Sequence, residues 1–112
     1  MEVTVEARDA RTAVIRLTGR LDLLSATAVR QRLAETVAGG QKRLIVDLGA
    51  VPFIDSSGLG ALIGGLKAAR QAGGDLRIAR AGDQAIAVLK LTTLDRVFGT
   101  SATVEEALAG LA

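Results

Sequence analysis

The sequence has 112 residues, of which 49% are hydrophobic, and this length and composition suit one compact domain with a single core. It contains no cysteine and no histidine, which excludes disulfides and thiolate or imidazole metal ligands and removes the commonest general base. The net charge is +2 and the 14 basic residues are spread along the chain, so direct nucleic-acid binding is not expected.

The N-terminal third of the chain predicts a hairpin followed by a helix. Alternating apolar and polar residues indicate strands at 3–7 and 13–18, and the polar segment 8–12 between them makes this pair an antiparallel hairpin. Ser25 is expected to cap a helix that Gly39-Gly40 ends. The apolar positions of this helix follow a 3.6-residue period: Ala26, Val29, Leu33, Ala34 and Val37.

The middle of the chain predicts two further strands around a second helix. The apolar run 44–46 is typical of a strand covered on both faces, as parallel strands usually are. A second amphipathic helix follows the segment 55–58, and Gly73-Gly74 ends it. Its apolar positions are Leu59, Leu62, Ile63, Leu66 and Ala69. Leu76 and Ile78 then occupy alternate positions, which indicates another inner strand.

The C-terminal part adds two helices and a short strand. Asp83 is expected to cap the first of these helices, and Val97-Phe98 to form the strand. Thr103 and Glu106 form a capping-box pattern for the last helix. The order of elements predicts a single α/β domain over residues 1–112. We expect a mixed, mostly parallel sheet of four or five strands with about four helices, and the N-terminal strand at an antiparallel edge.

The segment Asp55-Ser56-Ser57-Gly58 lies between an apolar stretch and the second helix. Backbone N–H groups are unsatisfied at the start of a helix, and the helix dipole favours negative charge there. Helix capping alone therefore explains an Asp or a Ser at this place. A phosphate on the serine would also be accommodated there as an anion. These four residues leave both interpretations open.

A wider pattern surrounds this segment. Three motifs follow one another, with a helix and a short apolar strand between the first two: Gly19-Arg20-Leu21-Asp22, Phe53-Ile54-Asp55-Ser56-Ser57-Gly58-Leu59-Gly60 and Gly73-Gly74. Together they resemble the STAS domains of bacterial anti-sigma factor antagonists. The resemblance covers nearly the whole chain, from about Val3 to Phe98, and its Asp-Ser-Ser-Gly-Leu-Gly element is fairly specific in that setting.

The resemblance implies a domain that binds an anti-sigma factor and so frees a sigma factor for transcription. It also implies that the first serine, Ser56, is phosphorylated by the same anti-sigma factor acting as an ATP-dependent serine kinase, and that a serine phosphatase resets it. Metal and ATP would belong to the kinase, so no cofactor is expected in this chain. The implied partner-binding residues are Asp22, Asp55, Ser56, Ser57, Gly58, Leu59 and Gly60.

Asp22 and Leu59 each have a simpler interpretation. Asp22 follows a strand and precedes the helix that Ser25 is expected to cap, so it is equally well explained as a loop carboxylate or an alternative cap. Leu59 belongs to an apolar stripe of the kind that is usually buried. Its place in the first turn still makes it a better candidate for a partner contact than Ile63.

One position departs from the family pattern. Many relatives carry a glycine before the leucine in the segment Leu91-Thr92-Thr93-Leu94, where this chain has Thr93. Glycine adopts a positive φ at low cost and threonine does not, so the turn after the third helix is expected to be built differently. The departure leaves the Ser56 region untouched.

An enzymatic function is not expected. Ser56 and Ser57 have no histidine to activate them, and the sequence contains neither a Ser-x-x-Lys motif nor a P-loop. Ile63 stands where a dinucleotide-binding loop would need its third glycine. Two alternatives stay open: a STAS subunit of a lipid transporter or of a stress-signalling complex, and a weak nucleotide-binding domain.

Neither secretion nor a membrane span is expected. The N-terminus lacks the basic start and apolar run of a signal peptide. The longest uncharged stretch near the middle, 56–66, is far shorter than the roughly 20 residues that cross a bilayer. We therefore expect a cytoplasmic protein.

Overall fold

Within the described residues, five strands form one sheet in the order in which they occur in the chain. The computed structural model describes residues 1–111, so Ala112, the end of the predicted domain 1–112, lies outside the described residues. The strands are β1 Glu2–Ala7, β2 Thr12–Thr18, β3 Arg43–Ala50, β4 Asp75–Ala79 and β5 Gly99–Ser101. β1 pairs with β2 in the antiparallel sense and each later pair is parallel, which confirms the predicted mixed sheet and its antiparallel edge strand.

In the part of the chain that the structure describes, four α-helices cover the two faces of this sheet. They are α1 Leu23–Ala38, α2 Ser56–Gln71, α3 Asp83–Leu91 and α4 Val104–Leu111. The main core lies under α1, α2 and α3, and a smaller apolar cluster lies under α4. In β3, Leu44 and Val46 belong to the main core whereas Ile45 belongs to the smaller cluster, so this strand is covered on both faces as predicted. Among residues 1–111 no helix has the length and apolarity to cross a membrane.

The start of α1 corrects the cap that the sequence predicted for it. Asp22 rather than Ser25 is the N-cap residue, and its carboxylate accepts the N–H of Leu24 at 3.1 Å. Ser25 is the third helical residue, and its hydroxyl accepts the N–H of Asp22 at 3.1 Å. The two side chains form a reciprocal capping box, in which the serine is the second partner and not the first.

The predicted starts of α3 and of the last strand are also wrong. Gly82 is the N-cap residue of α3 and Asp83 is the first helical residue, where its negative charge meets the positive end of the helix dipole. The last strand is β5 and not 97–98, because a 3-10 helix at Leu94–Arg96 leads into Phe98, which is buried in the main core. A buried aromatic residue gives the same apolar signal whether a strand or a turn places it.

Thr93 adopts the backbone conformation that favours glycine. Its φ is 59° and its ψ is 13°, in the left-handed region. This conformation costs about 1 to 2 kcal/mol for a residue with a side chain and is rare for a β-branched one. The expectation that Thr93 changes the turn by avoiding a positive φ is therefore wrong. The turn has glycine-type geometry and carries the strain.

Candidate functional site

The N-termini of α1 and α2 lie side by side at the carboxyl edge of the parallel strands. Beyond β2 and β3 the chain continues the pairing with one parallel bridge, between Leu21 and Ile54. The N–H of Leu21 donates to the carbonyl of Phe53 at 2.9 Å, and the carbonyl of Leu21 accepts the N–H of Asp55 at 3.2 Å. Asp22 and Asp55 each follow a bridge residue and each cap a helix. The structure thus brings together the two acidic positions that the sequence selected.

Asp55 is the N-cap residue of α2, as the capping interpretation predicts. Its backbone is extended, and its carboxylate accepts the N–H of Gly58 at 2.9 Å. Gly58 is buried against the backbone of Leu21, because a Cβ at this glycine would lie 2.2 Å from the Leu21 carbonyl oxygen. The lack of a side chain at Gly58 therefore allows the first turn of α2 to approach the start of α1 closely.

Ser56 is the first residue of α2 and is exposed, and the next residue, Ser57, is half-buried. Their backbone N–H groups belong to the first turn, where the helix supplies no acceptor and its dipole favours an anion. Since the carboxylate of Asp55 makes the cap, the hydroxyl of Ser56 is not needed for it. Capping explains Asp55 but gives no reason for an exposed hydroxyl at Ser56.

Leu59 and Gly60 contribute less to the outer surface than the sequence suggested. Leu59 is 3% exposed and belongs to the main core, so its side chain does not offer the partner contact expected of it. This side of the first turn faces the sheet, and the simpler interpretation as a core residue holds. Gly60 is half-buried, and a Cβ there would lie 3.4 Å from Nη2 of Arg30 on α1.

Gln84 on α3 supports the segment before Ser56, although no motif in the sequence indicates this role. Its Oε1 accepts the N–H of Ile54 at 2.8 Å, and its Nε2 donates to the carbonyl of Ile54 at 2.9 Å. The side-chain amide thereby makes the two bonds that a neighbouring strand would make. Ile54 is held from one side by the bridge to Leu21 and from the other by Gln84.

Leu23 and Leu24, the first two residues of α1, are exposed, which no pattern in the sequence indicates. They expose 73% and 94% of their surfaces, respectively. Arg20 lies beside them, with its guanidinium 4.1 Å from the centroid of the Phe53 ring and its Nε 3.5 Å from the Asp22 carboxylate. An apolar pair flanked by a cation and an anion thus lies next to the start of α2.

Replacing Gln84 by leucine is expected to lower the free energy of unfolding by about 2 kcal/mol, because two polar backbone groups of Ile54 lose their partners. Ile54 is buried, so water does not readily replace them. Urea unfolding measures the loss, and hydrogen exchange of the Ile54 amide should become faster. Gln71→Leu, at an exposed position at the end of α2, is the control and should change neither quantity. Equal stability of the two variants would contradict the supporting role of Gln84.

Comparison with known proteins identifies the family. A family model described as the STAS domain matches residues 3–107, and the chain therefore belongs to the STAS domain family. It is 32% identical over 110 residues to the anti-sigma-F factor antagonist RsfB of Mycobacterium tuberculosis, covering 97% of this chain and 89% of that protein. It is 26% identical over 106 residues to the anti-sigma-B factor antagonist of Bacillus subtilis, covering 94% of this chain and 96% of that protein.

Solved structures agree with this family. An anti-sigma factor antagonist from Mycobacterium paratuberculosis superposes with a TM-score of 0.84 at 28% identity, covering 98% of this chain and 92% of that one. An anti-sigma factor antagonist (STAS) domain protein from Planctomyces limnophilus gives a TM-score of 0.85 at 24% identity, covering 97% of both chains. The second likeness is one of fold. The α/β fold predicted from the order of elements and the resemblance to STAS-domain anti-sigma factor antagonists are both confirmed.

Proposed function

We propose that this STAS domain is an anti-sigma factor antagonist that binds a kinase-type anti-sigma factor, frees its sigma factor and is switched off by phosphorylation of Ser56. One observation carries the proposal: Ser56 is exposed at the start of α2 while Asp55 alone makes the cap. The likeness over most of the chain to proteins named as antagonists of anti-sigma factors supports the class of partner.

Ser56 is the phosphate acceptor in this proposal because its surroundings suit the transfer better than those of Ser57. A kinase must bring the γ-phosphate of ATP into line with the attacking hydroxyl, which requires an accessible oxygen. Ser56 is exposed and Ser57 is half-buried. The start of a helix also stabilises the new anion, by about 1 kcal/mol.

The partner surface consists of the joined starts of α1 and α2. Asp22 and Asp55 give it two neighbouring carboxylates, Ser56 and Ser57 give it hydroxyls, and Gly58 holds its shape. We expect the anti-sigma factor to meet the two carboxylates with cationic groups, since facing surfaces are electrostatically complementary in specific complexes. Gly60 lies at the border of this surface, and Leu59 contributes only through its backbone.

The domain regulates by binding and does not itself catalyse. Its relatives are named for antagonism and not for a reaction. In this proposal ATP and its metal ion are bound by the kinase partner, a serine phosphatase removes the phosphate, and the cycle takes place in the cytoplasm.

Phosphate transfer tests the proposal directly. The protein is incubated with each kinase-type anti-sigma factor of the same organism and with ATP and Mg²⁺, and mass spectrometry locates the phosphate. We expect modification of Ser56 in the natural protein and in Ser57→Ala. Ser56→Ala should remain unmodified, should fold because Asp55 keeps the cap, and should still bind.

Three outcomes would contradict the proposal. Phosphate on Ser57 would reverse the assignment of the acceptor. Binding to none of these anti-sigma factors would remove the antagonist function and favour the alternative of a STAS subunit in a transporter or a stress-signalling complex. Saturable binding of ATP or GTP to this domain alone would favour the nucleotide-binding alternative.

A further inference from the structure

Leu23 and Leu24 are two exposed leucines at the start of α1 that the core of the fold does not use. Both side chains are largely exposed, although the first turn of a helix that packs on a sheet offers buried positions nearby, such as Ala26. Single exposed apolar residues are common, but an apolar patch rimmed by polar groups marks an interaction site. Polar groups of this kind are present here, since Arg20 and Asp22 line the same groove as Leu24.

The rim is fixed before any partner binds. The guanidinium of Arg20 rests on the Phe53 ring and pairs with Asp22, and the Asp22 carboxylate also accepts the N–H of Leu24. Side chains that are already held lose less entropy when a complex forms. Leu24 further borders a groove of about 450 Å³ whose other lining residues are Met1, Arg20, Asp22, Ser25 and Ala28.

The two leucines lie at a helix start that neighbours the start of α2, where Ser56 lies. Leu21 and Ile54 are bridged as parallel neighbours. Two residues after each of them a helix begins, α1 with Leu23 and α2 with Ser56. Parallel neighbours are about 4.8 Å apart, so the two helices start next to each other, close enough for one partner to cover both starts. Two leucines cover much less than the roughly 800 Å² per partner of a stable interface, so they belong to a larger one.

We infer that Leu23 and Leu24 are the apolar anchors by which the anti-sigma factor holds this domain while its kinase site acts on Ser56. The inference rests on the proposed function and identifies the part of the surface that supplies affinity. The matching surface of the partner is an apolar pocket with an acidic group facing Arg20 and a basic group facing Asp22. This arrangement, apolar at its centre and charged at its rim, is typical of specific interfaces.

Leu24→Ala is the test, and Leu91→Ala is its matched control. Leu91 is also a leucine and is 84% exposed, but it ends α3, which starts at the carboxyl edge of the sheet and runs to the opposite end. We expect Leu24→Ala to weaken binding to the purified anti-sigma factor by about tenfold or more, as measured by calorimetry. The affinity of Leu91→Ala for the anti-sigma factor should stay within about twofold of that of the natural protein, because a side chain outside the interface contributes little to binding.

Kinetics of phosphate transfer separate anchoring from chemistry. Loss of an anchor should raise the KM for this domain by a similar factor and leave kcat nearly unchanged, since the contact is the same before and during transfer. Both variants should unfold at the same urea concentration as the natural protein, because both side chains are exposed.

The possible results separate the inference from the function on which it rests. Strong binding by the natural protein together with unchanged binding by Leu24→Ala would overturn the anchor and leave the antagonist function standing. Equal losses in Leu24→Ala and Leu91→Ala would overturn it as well. So would a change in self-association, seen by sedimentation velocity, without a change in affinity for the anti-sigma factor. Failure of the natural protein to bind any kinase-type anti-sigma factor would overturn the function and the anchor together.

Discussion

Phosphorylation of Ser56 is expected to weaken binding to the anti-sigma factor by more than about a hundredfold without refolding the domain. The phosphate adds about 1.5 to 2 negative charges, and the start of α2 offsets this by no more than about 1 to 2 kcal/mol. That benefit is present in the free protein and in the complex, so it largely cancels in the affinity. The loss of affinity must therefore come from the contact between the phosphate and the partner.

In the complex the phosphate must lose water against the partner, next to the carboxylates of Asp55 and Asp22. An incompletely paired charge in such a place costs several kcal/mol. Only about 3 kcal/mol is required to weaken binding more than a hundredfold. Local charge and bulk are therefore sufficient, and the hydrogen bonds that hold Ile54 between Leu21 and Gln84 need not break.

Amide NMR spectra of the free and the phosphorylated protein test whether the fold is unchanged. Shifts should be confined to the starts of α1 and α2 and to the residues that hold Ile54. Ser56→Ala treated with kinase and ATP is the control and should give an unchanged spectrum. Shifts spread through the five strands would show that the phosphate acts by refolding, and would reject the local mechanism.

Gly58→Ala is expected to lower the free energy of unfolding by about 2 kcal/mol, because the cost of overpacking exceeds the gain in helix propensity. The new Cβ would lie 2.2 Å from the Leu21 carbonyl oxygen, which is backbone and also accepts the N–H of Asp55. Relief of the clash requires α2 to move away from this oxygen. The movement would also separate the caps Asp22 and Asp55, so phosphorylation of Ser56 should fall as well.

Gly60→Ala is the matched control, because it makes the same change two residues further along the same helix. Its Cβ would lie 3.4 Å from Nη2 at the flexible end of Arg30, which can shift. This variant should gain about 0.5 to 1 kcal/mol from helix propensity. Urea unfolding of the two variants measures the contrast. A stable Gly58→Ala variant would mean that the close approach of the two helix starts is not required.

Much of the fold follows from periodicity in the sequence, because burial repeats regularly along its elements. The strand at 44–46 was predicted from an unbroken apolar run, and β3 is indeed covered on both faces. The wrong predictions occur where tertiary contacts determine which residue caps a helix or which element places a buried side chain. Ser25 and Asp22 are both good caps, and only the position of the chain after β2 selects Asp22. Phe98 is apolar because it fills the core from a turn, which periodicity does not distinguish from a strand.

The site was predictable in its centre but not at its edges. The motif around Ser56 carries a local signal, so the start of α2 and the cap by Asp55 were predictable. Gln84 has no such signal, because its contact with Ile54 joins residues 30 positions apart. Leu59 belongs to the apolar stripe of its helix, which already favoured its burial. Leu23 and Leu24 stand outside the stripe predicted for α1, and only the packing of this helix on the sheet shows that they are exposed.

The most direct test of the Ser56 switch is a calorimetric titration of one purified kinase-type anti-sigma factor with the unmodified protein and with the protein phosphorylated at Ser56. Ser56→Ala, treated in the same way with kinase and ATP, accompanies them as the form that cannot be modified. We expect the unmodified protein and Ser56→Ala to bind with similar affinity, and the phosphorylated protein to bind more than about a hundredfold more weakly. Equal affinity of the phosphorylated and unmodified forms would contradict a switch at Ser56.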